Sequence, residues 1–100
     1  MLESISVIIP MYNARATVVE CVESIIDQDY AGELEIIVVD DGSVDDCHRL
    51  VEVIKTTNKR SIKLLRQKNT GVSGARHFGI MNATHELITL CDSDDCWVTH

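Results

Sequence analysis

The sequence contains little positive charge and no long apolar run. It has 9 Lys and Arg against 16 Asp and Glu, which gives a formal net charge of −7. A nucleic-acid partner is therefore disfavoured, because no basic stripe exists to meet the phosphates. No apolar run approaches the ~20 residues of a membrane span, and Glu3 lies where a signal peptide would be basic. We therefore expect a cytoplasmic protein.

Several common site motifs are also absent. The four cysteines form no C-x-x-C pair, which argues against a zinc or redox site and favours buried or incidental thiols. PMYNAR stands where a dinucleotide-binding fold would have G-x-G-x-x-G, and no P-loop occurs. Val39 occupies the position of the first Asp in an aspartyl-nucleophile phosphatase motif, and too few residues follow Asp92 for an EF-hand.

Apolar runs alternate with helical patterns along the whole chain. The predicted strands are Ile5–Met11, Leu34–Asp40, Ser61–Leu65 and Glu86–Cys91. Helical patterns follow the first two strands, and a loop with Gly71 leads to a third helix from about Ser73 to Asn82. This alternation with short connections predicts an α/β fold with a Rossmann-like parallel sheet of about four strands and flanking helices. The third strand is the least apolar and is expected near an edge.

Local signals predict how the helices begin and pack. Asn13 is expected to cap the first helix. Ser43 stands three residues before Asp46, which resembles a capping box at the start of the second helix. Ala75 and Gly79 are small, so the third helix can approach the sheet closely.

Acidic residues follow the strands, and ELITLCDSDD places three carboxylates in four residues: Asp92, Asp94 and Asp95. Three carboxylates this close together repel one another unless a cation is bound. Single aspartates after strands have an ordinary explanation, because they also cap helices and make turns. Ligands of parallel sheets bind beyond the carboxyl ends of the strands. Oxygen ligands suit Mg²⁺ or Mn²⁺, and Mg²⁺ uses one or two carboxylates with water and phosphate oxygens. The sequence therefore predicts a metal-bridged nucleotide diphosphate.

Four segments resemble the N-terminal motifs of family 2 glycosyltransferases, in the family's order and over residues 4–97: SVIIPMYNA, IIVVDDGSVDD, NTGVSGARHFGI and ELITLCDSDDCW. The resemblance implies the N-terminal half of a GT-A fold. It also implies a nucleotide-sugar donor, commonly a UDP-sugar, that is bound with Mn²⁺ or Mg²⁺. The parent enzyme would transfer the sugar, with inversion, to a hydroxyl of a saccharide or glycolipid acceptor.

The resemblance also assigns roles in nucleotide binding. Pro10 and Tyr12 match the motif of the first strand, whose aromatic ring lies near the base. Asp41 matches the residue that accepts a hydrogen bond from the uracil N–H, and Asp40 would help to shape that site. Arg76 matches a basic residue near the nucleotide.

Asp92-Ser93-Asp94 matches the DxD motif of the family. Asp92 would face the ribose and share in binding the metal, and Asp94 would bind the metal between the two phosphates. Asp95 is expected just outside the direct ligands of the metal. His77 departs from the family pattern, in which Asn is frequent, but this change leaves the DxD motif intact.

Family enzymes continue well past the DxD motif, and their later part carries the acceptor site and the catalytic base. The base is therefore expected beyond His100, with no catalytic residue among residues 1–100. These residues are expected to be the donor-binding part of a longer chain. The longer chain is expected to act at the inner face of the membrane. Alone, they should bind nucleotide weakly, transfer no sugar and self-associate through uncovered apolar surface. Two alternatives remain open: a non-catalytic nucleotide-binding or scaffold domain, and a nucleotidyltransferase-like enzyme.

Overall fold

A computed structural model describes residues 4–28, 30, 32–57 and 60–93 of the chain. Strands and helices alternate in the order β1 (Ile5–Met11), α1 (Val18–Ile26), β2 (Leu34–Asp40), α2 (Cys47–Thr57), β3 (Ser61–Arg66), α3 (Val72–Met81) and β4 (Leu87–Leu90). Among these described helices, none combines the length and the apolar character that crossing a membrane requires. The predicted α/β class and the predicted element order are confirmed.

The described strands form one sheet in the order β3-β2-β1-β4, and every neighbouring pair is parallel. Ile8 of β1 pairs with Ile37 of β2 on one side and with Leu90 of β4 on the other. The central strands β1 and β2 are buried almost throughout, which explains their continuous apolar runs. β3 lies at an edge of this sheet, as its weaker apolar character predicted.

Helices cover both faces of the sheet. α1 and α2 pack on one face against alternate residues of the central strands, such as Val7 and Ile36. α3 packs on the other face, against Ile8 and Val39. A Cβ added at Gly79 would clash with Ile8, so this glycine is what allows α3 to lie directly on the sheet. The predicted close approach of α3 is confirmed.

Both predicted helix caps are wrong. α1 begins only at Val18, and Asn13 lies in the preceding loop with φ +49°. α2 begins at Cys47, whose N–H donates to Asp45 Oδ1 at 3.1 Å, so the capping carboxylate is that of Asp45. Asp46 has φ +62° and lies outside the helix, which removes the capping box that it would form with Ser43.

The described cysteines, Cys21, Cys47 and Cys91, are buried, in agreement with the interpretation of the cysteines as buried thiols. Burial, together with the neighbouring carboxylate of Asp45, raises the pKa of the Cys47 thiol. This thiol therefore stays protonated and packs as a small apolar group. Cys96 lies outside the described residues.

A buried carboxylate joins β2 to its neighbours near the amino ends of the strands. Glu35 is 4% exposed and accepts hydrogen bonds from Ser6 Oγ, the Thr84 N–H and the Thr84 hydroxyl. Lys63 Nζ lies 2.9 Å from Glu35 Oε2. Burial alone would raise the pKa of Glu35, but these donors outweigh it and lower the pKa to about 2. The carboxylate is therefore charged in the folded state.

Replacing Glu35 by Gln should lower the free energy of unfolding by about 2 kcal/mol at pH 7, because a buried charge-assisted network loses its acceptor. Since folding lowers the pKa of Glu35 from 4.5 to about 2, its contribution is complete above pH 4.5. The contribution disappears as the pH falls through about 2. Urea titrations of both proteins at several pH values measure the difference.

The matched control is Glu23→Gln, which changes an exposed glutamate on α1 and should leave stability nearly unchanged. A loss of stability in the Glu35 variant that stays constant down to pH 2 would contradict the assignment.

Candidate functional site

A cleft of about 590 Å³ opens at the carboxyl ends of the strands. The loop after β1 forms one wall, and the amino-terminal half of α3 forms another. The residues after β2 and β4 complete it. Its lining residues are Pro10, Met11, Tyr12, Asn13, Ala14, Thr17, Asp41, Asn69, Gly71, Val72, Ala75, Arg76, Asp92 and Ser93. Parallel sheets typically bind ligands at this edge.

The cleft brings together five of the side chains predicted to bind a nucleotide: Pro10, Tyr12, Asp41, Arg76 and Asp92. They come from sequence positions up to 82 residues apart, and the parallel sheet places them at one edge. Tyr12 is 52% exposed, so its ring is accessible from solvent.

Other predicted features of the site fall on the last seven residues, which lie outside the described ones. These residues include the predicted metal ligand Asp94 and its neighbour Asp95. They also include His100, beyond which the catalytic base is expected. The metal ligand and the position of the base therefore stay predictions.

The carboxylate of Asp41 is bound by the loop between β3 and α3. Its Oδ1 accepts hydrogen bonds from Gln67 Nε2 at 2.9 Å and from the Thr70 N–H at 2.9 Å, and Thr70 Oγ1 lies 3.4 Å away. Its Oδ2 accepts from the Gly71 N–H at 2.9 Å. Gly71 is the N-cap of α3, so the negative charge also lies at the favourable end of the helix dipole.

These donors determine the charge state of Asp41. Burial alone would raise its pKa, but the hydrogen bonds from the Thr70 N–H, the Gln67 amide and the Gly71 N–H outweigh this effect. The pKa of Asp41 is therefore below its ordinary value. The group is a carboxylate at neutral pH, and it can only accept hydrogen bonds.

Asp40 does not line the cleft, although it is adjacent to Asp41 in the chain. It is fully buried, and its Oδ1 accepts from the Ser43 N–H at 2.9 Å. Its Oδ2 accepts from Arg66 Nε at 3.1 Å and lies 3.7 Å from His48 Nδ1. Asp40 thus stabilises the turn that follows β2, and its predicted contribution to nucleotide binding remains a prediction.

Arg76 and Asp92 form an ion pair in the cleft. Arg76 Nη2 lies 2.9 Å from Asp92 Oδ1, and their side chains are 36% and 51% exposed. The Nε of Arg76 is buried and has no hydrogen-bond partner among the described residues. Because both side chains are partly exposed, the guanidinium and the carboxylate remain accessible to a ligand that carries charges of both signs, such as a phosphate with a bound cation.

The donor set is compatible with a divalent cation. Within residues 4–28, 30, 32–57 and 60–93, no three His, Cys, Asp or Glu side chains come together as a complete metal site. Mg²⁺ needs only one or two protein carboxylates, however, when phosphate oxygens and water complete its coordination shell. Asp92 supplies one such carboxylate in the cleft.

Sequence reasoning missed the residues that orient Asp41. The sequence predicts only a loop containing Gly71 before α3, whereas Gln67 and Thr70 contact the carboxylate directly. Gly42 has φ +80°, and a Cβ at this position would lie 2.9 Å from the Asn69 nitrogen. The glycine after Asp41 is the available signal, because it permits the close approach of this loop.

Comparisons with known proteins agree with this class of α/β protein, a Rossmann-like sheet with a ligand cleft at its carboxyl edge. The family model of Glycosyl transferase family 2 matches residues 6–100. The chain belongs to this family. It is 43% identical over 96 residues to glycosyltransferase GlyG of Streptococcus pneumoniae serotype 4, covering 95% of this chain and 31% of GlyG. The chain thus spans about a third of the length of this relative.

Solved structures show the same fold. S. aureus TarS 1-349 in complex with UDP-GlcNAc superposes with a TM-score of 0.82 and 34% identity, covering 91% of this chain and 26% of that one. Mannosyltransferase PcManGT from Pyrobaculum calidifontis, in complex with GDP-Man and Mn²⁺, gives a TM-score of 0.86 and 29% identity. That match covers 93% of this chain and 28% of the mannosyltransferase. The described sheet and helices correspond to the N-terminal half of a GT-A fold.

Replacing Asp41 by Ala should speed amide hydrogen exchange at Thr70 and Gly71, because both N–H groups lose their acceptor. The free energy of unfolding should fall by about 1 kcal/mol. Exchange measured by NMR checks the local effect, and Asp27→Ala, at the C-cap of α1, is the control. Unchanged exchange at both amides would show that Asp41 does not organise the loop.

Proposed function

We propose that this chain is the donor-binding part of a metal-dependent glycosyltransferase that uses a UDP-sugar. The observation that carries the proposal is the convergence of Tyr12, Asp41, Arg76 and Asp92 on one cleft. The aromatic ring of Tyr12 and the carboxylate of Asp41 suit a pyrimidine base. The guanidinium of Arg76 and the carboxylate of Asp92 suit a diphosphate with a bound metal ion. Family membership and the UDP-GlcNAc complex of TarS support this choice of ligand.

Asp41 has the hydrogen-bonding capacity that uracil requires. Its Oδ1 already has contacts with Gln67 and Thr70, whereas its Oδ2 accepts from the Gly71 N–H alone among the described residues. A carboxylate oxygen can accept two hydrogen bonds, so Oδ2 has a lone pair for the imide N–H of uracil. Cytosine presents no N–H at that ring position, which would favour UDP over CDP. Tyr12 supplies a flat surface for the base.

Arg76, Asp92 and Asp94 would bind the diphosphate half of the donor. Asp94 and Asp92 are the residues that would bind Mn²⁺ or Mg²⁺, as the carboxylates of the DxD motif. The bound ion would neutralise charge on the departing nucleotide diphosphate. The guanidinium of Arg76, whose side chain is 36% exposed, supplies donors for a phosphate oxygen.

The whole enzyme would transfer the sugar to a hydroxyl of a saccharide or glycolipid, with inversion. We place the acceptor site and the catalytic base beyond His100, so residues 1–100 alone should bind donor without transferring it. Transfer of sugar by the 100-residue chain would contradict this placement. The cytoplasmic location and the association with the inner membrane face stay predictions.

Isothermal titration of UDP in the presence of Mn²⁺ tests the site. The wild-type chain should bind, and Asp94→Ala should weaken the Mn²⁺-dependent binding about tenfold or more, because a direct metal ligand is lost. Asp46→Gly is the control, since it removes an exposed carboxylate near α2 at a residue with φ +62°, which glycine accommodates.

Equal affinity of the wild-type and Asp94→Ala chains would show that the metal assignment is wrong. If neither chain binds UDP with Mn²⁺, the donor-binding proposal itself is wrong.

We also propose that the 100-residue chain self-associates through its β4 edge. β4 is an edge strand of the described sheet, and Leu87 and Leu90 on it are 44% and 48% exposed. Met81, at the end of α3, is 70% exposed. An apolar edge strand pairs readily with another copy of itself.

Leu90→Lys should shift the chain from dimers or larger species toward monomer, because a charge on an edge strand opposes pairing. Light scattering over a range of concentrations measures the mass. Val53→Lys changes a residue on α2 that is 61% exposed and should leave association unchanged. A strictly monomeric wild-type chain at high concentration would refute the proposal.

A further inference from the structure

Two reciprocal hydrogen bonds join the loop after β1 to the loop after β2. The Asn13 N–H donates to Ser43 Oγ at 2.8 Å, and the Val44 N–H donates to Asn13 Oδ1 at 2.9 Å. Asn13 therefore uses both its backbone and its side chain to contact a segment 30 residues away. Neither bond is part of the pairing between strands. The link therefore depends on the side chains of Asn13 and Ser43, which supply the two acceptor oxygens.

The link joins the two segments that carry the groups proposed to contact the base. Asn13 directly follows Tyr12, and Ser43 lies two residues after Asp41. On the other side of Tyr12, the Asp41 N–H donates to the Met11 carbonyl oxygen at 2.8 Å. The backbone on both sides of Tyr12 is therefore attached to the segment that carries Asp41. This arrangement restricts how far the ring and the carboxylate can move relative to each other.

Asparagine suits this position for two physical reasons. Its φ is +49°, a region that asparagine tolerates better than most residues. Its short side chain also reaches a backbone N–H of the neighbouring loop. Ser43, which accepts the other bond of the link, is 7% exposed, and its N–H is bound by the buried carboxylate of Asp40. The link is therefore anchored to the sheet.

We propose that Asn13 is a positioning residue for base recognition. By joining the two loops, it sets the separation of the Tyr12 ring and the Asp41 carboxylate, and so determines the affinity for the base half of the donor. This inference rests on the proposed function. It predicts that loss of the Asn13 side chain weakens binding of the base and leaves binding of the diphosphate unchanged.

The test compares UDP with inorganic pyrophosphate, each titrated with Mn²⁺ into the 100-residue chain and its variants. Asn13→Gly keeps the positive φ accessible but removes the acceptor Oδ1. We expect its affinity for UDP to fall about five- to tenfold, the effect of one lost hydrogen bond and a looser loop. Its affinity for pyrophosphate should stay unchanged. The ratio of the two affinities isolates the contribution of the base.

Two further variants separate positioning from general damage. Asn13→Asp keeps an oxygen acceptor for the Val44 N–H and should restore the UDP-to-pyrophosphate ratio, even if its added charge weakens both ligands. Asn82→Gly removes an asparagine whose Nδ2 donates to the Phe78 carbonyl oxygen at the end of α3. This control should leave both affinities unchanged. Thermal melting verifies that each variant is folded.

The possible results are distinct. If the wild-type chain prefers UDP to pyrophosphate and Asn13→Gly keeps the full preference, the inference about Asn13 is overturned and the proposed function stands. An equal loss for both ligands in Asn13→Gly would also overturn it, as the signature of general damage. A wild-type chain that binds UDP no more tightly than pyrophosphate would overturn the proposed base site and this inference together.

Discussion

Parallel pairing of β1 with β2 places Met11 opposite Asp40, and the rest of the site depends on this register. The residues that follow, Tyr12 and Asp41, then leave the sheet at the same edge. A shift of one strand by one residue would turn every side chain of that strand to the other face. The two faces pack against different helices, with Val7 and Ile36 on one face and Ile8 and Val39 on the other. A slipped strand would lose this packing, so the core fixes the register and, through it, the geometry of the cleft.

Asp41 combines a structural and a proposed binding role. The donors from the β3–α3 loop keep its pKa low and fix its orientation, so no reorganisation is needed when a ligand N–H arrives. A buried carboxylate without such donors would tend to be protonated, and a protonated group would be a poorer acceptor. The loop at residues 67–71 is therefore part of the site even where it has no direct contact with a ligand.

The sequence predicted the strands well and the loops poorly, for a physical reason. Runs such as Ile5–Met11 and Leu34–Asp40 are apolar throughout because both faces are covered, and this signal is local. Asn13 and Ser43 also carry local capping signals, but in the folded chain each bonds the other across 30 residues. Likewise, the contact of Asp41 with Thr70 depends on the tertiary arrangement of two loops. The motifs located the cleft residues, and only the fold identified the groups that orient them.

The nucleotide is proposed to bind in the cleft at the carboxyl edge of the sheet, through contacts with Tyr12 and Asp41. Backbone NMR spectra of the isotope-labelled chain, recorded while UDP is added with Mg²⁺, test it most directly. The largest shift changes are expected at residues 10–14, 41–43 and 69–76. Shift changes confined to the groove between α2 and β3, around His48 and Arg66, would contradict it.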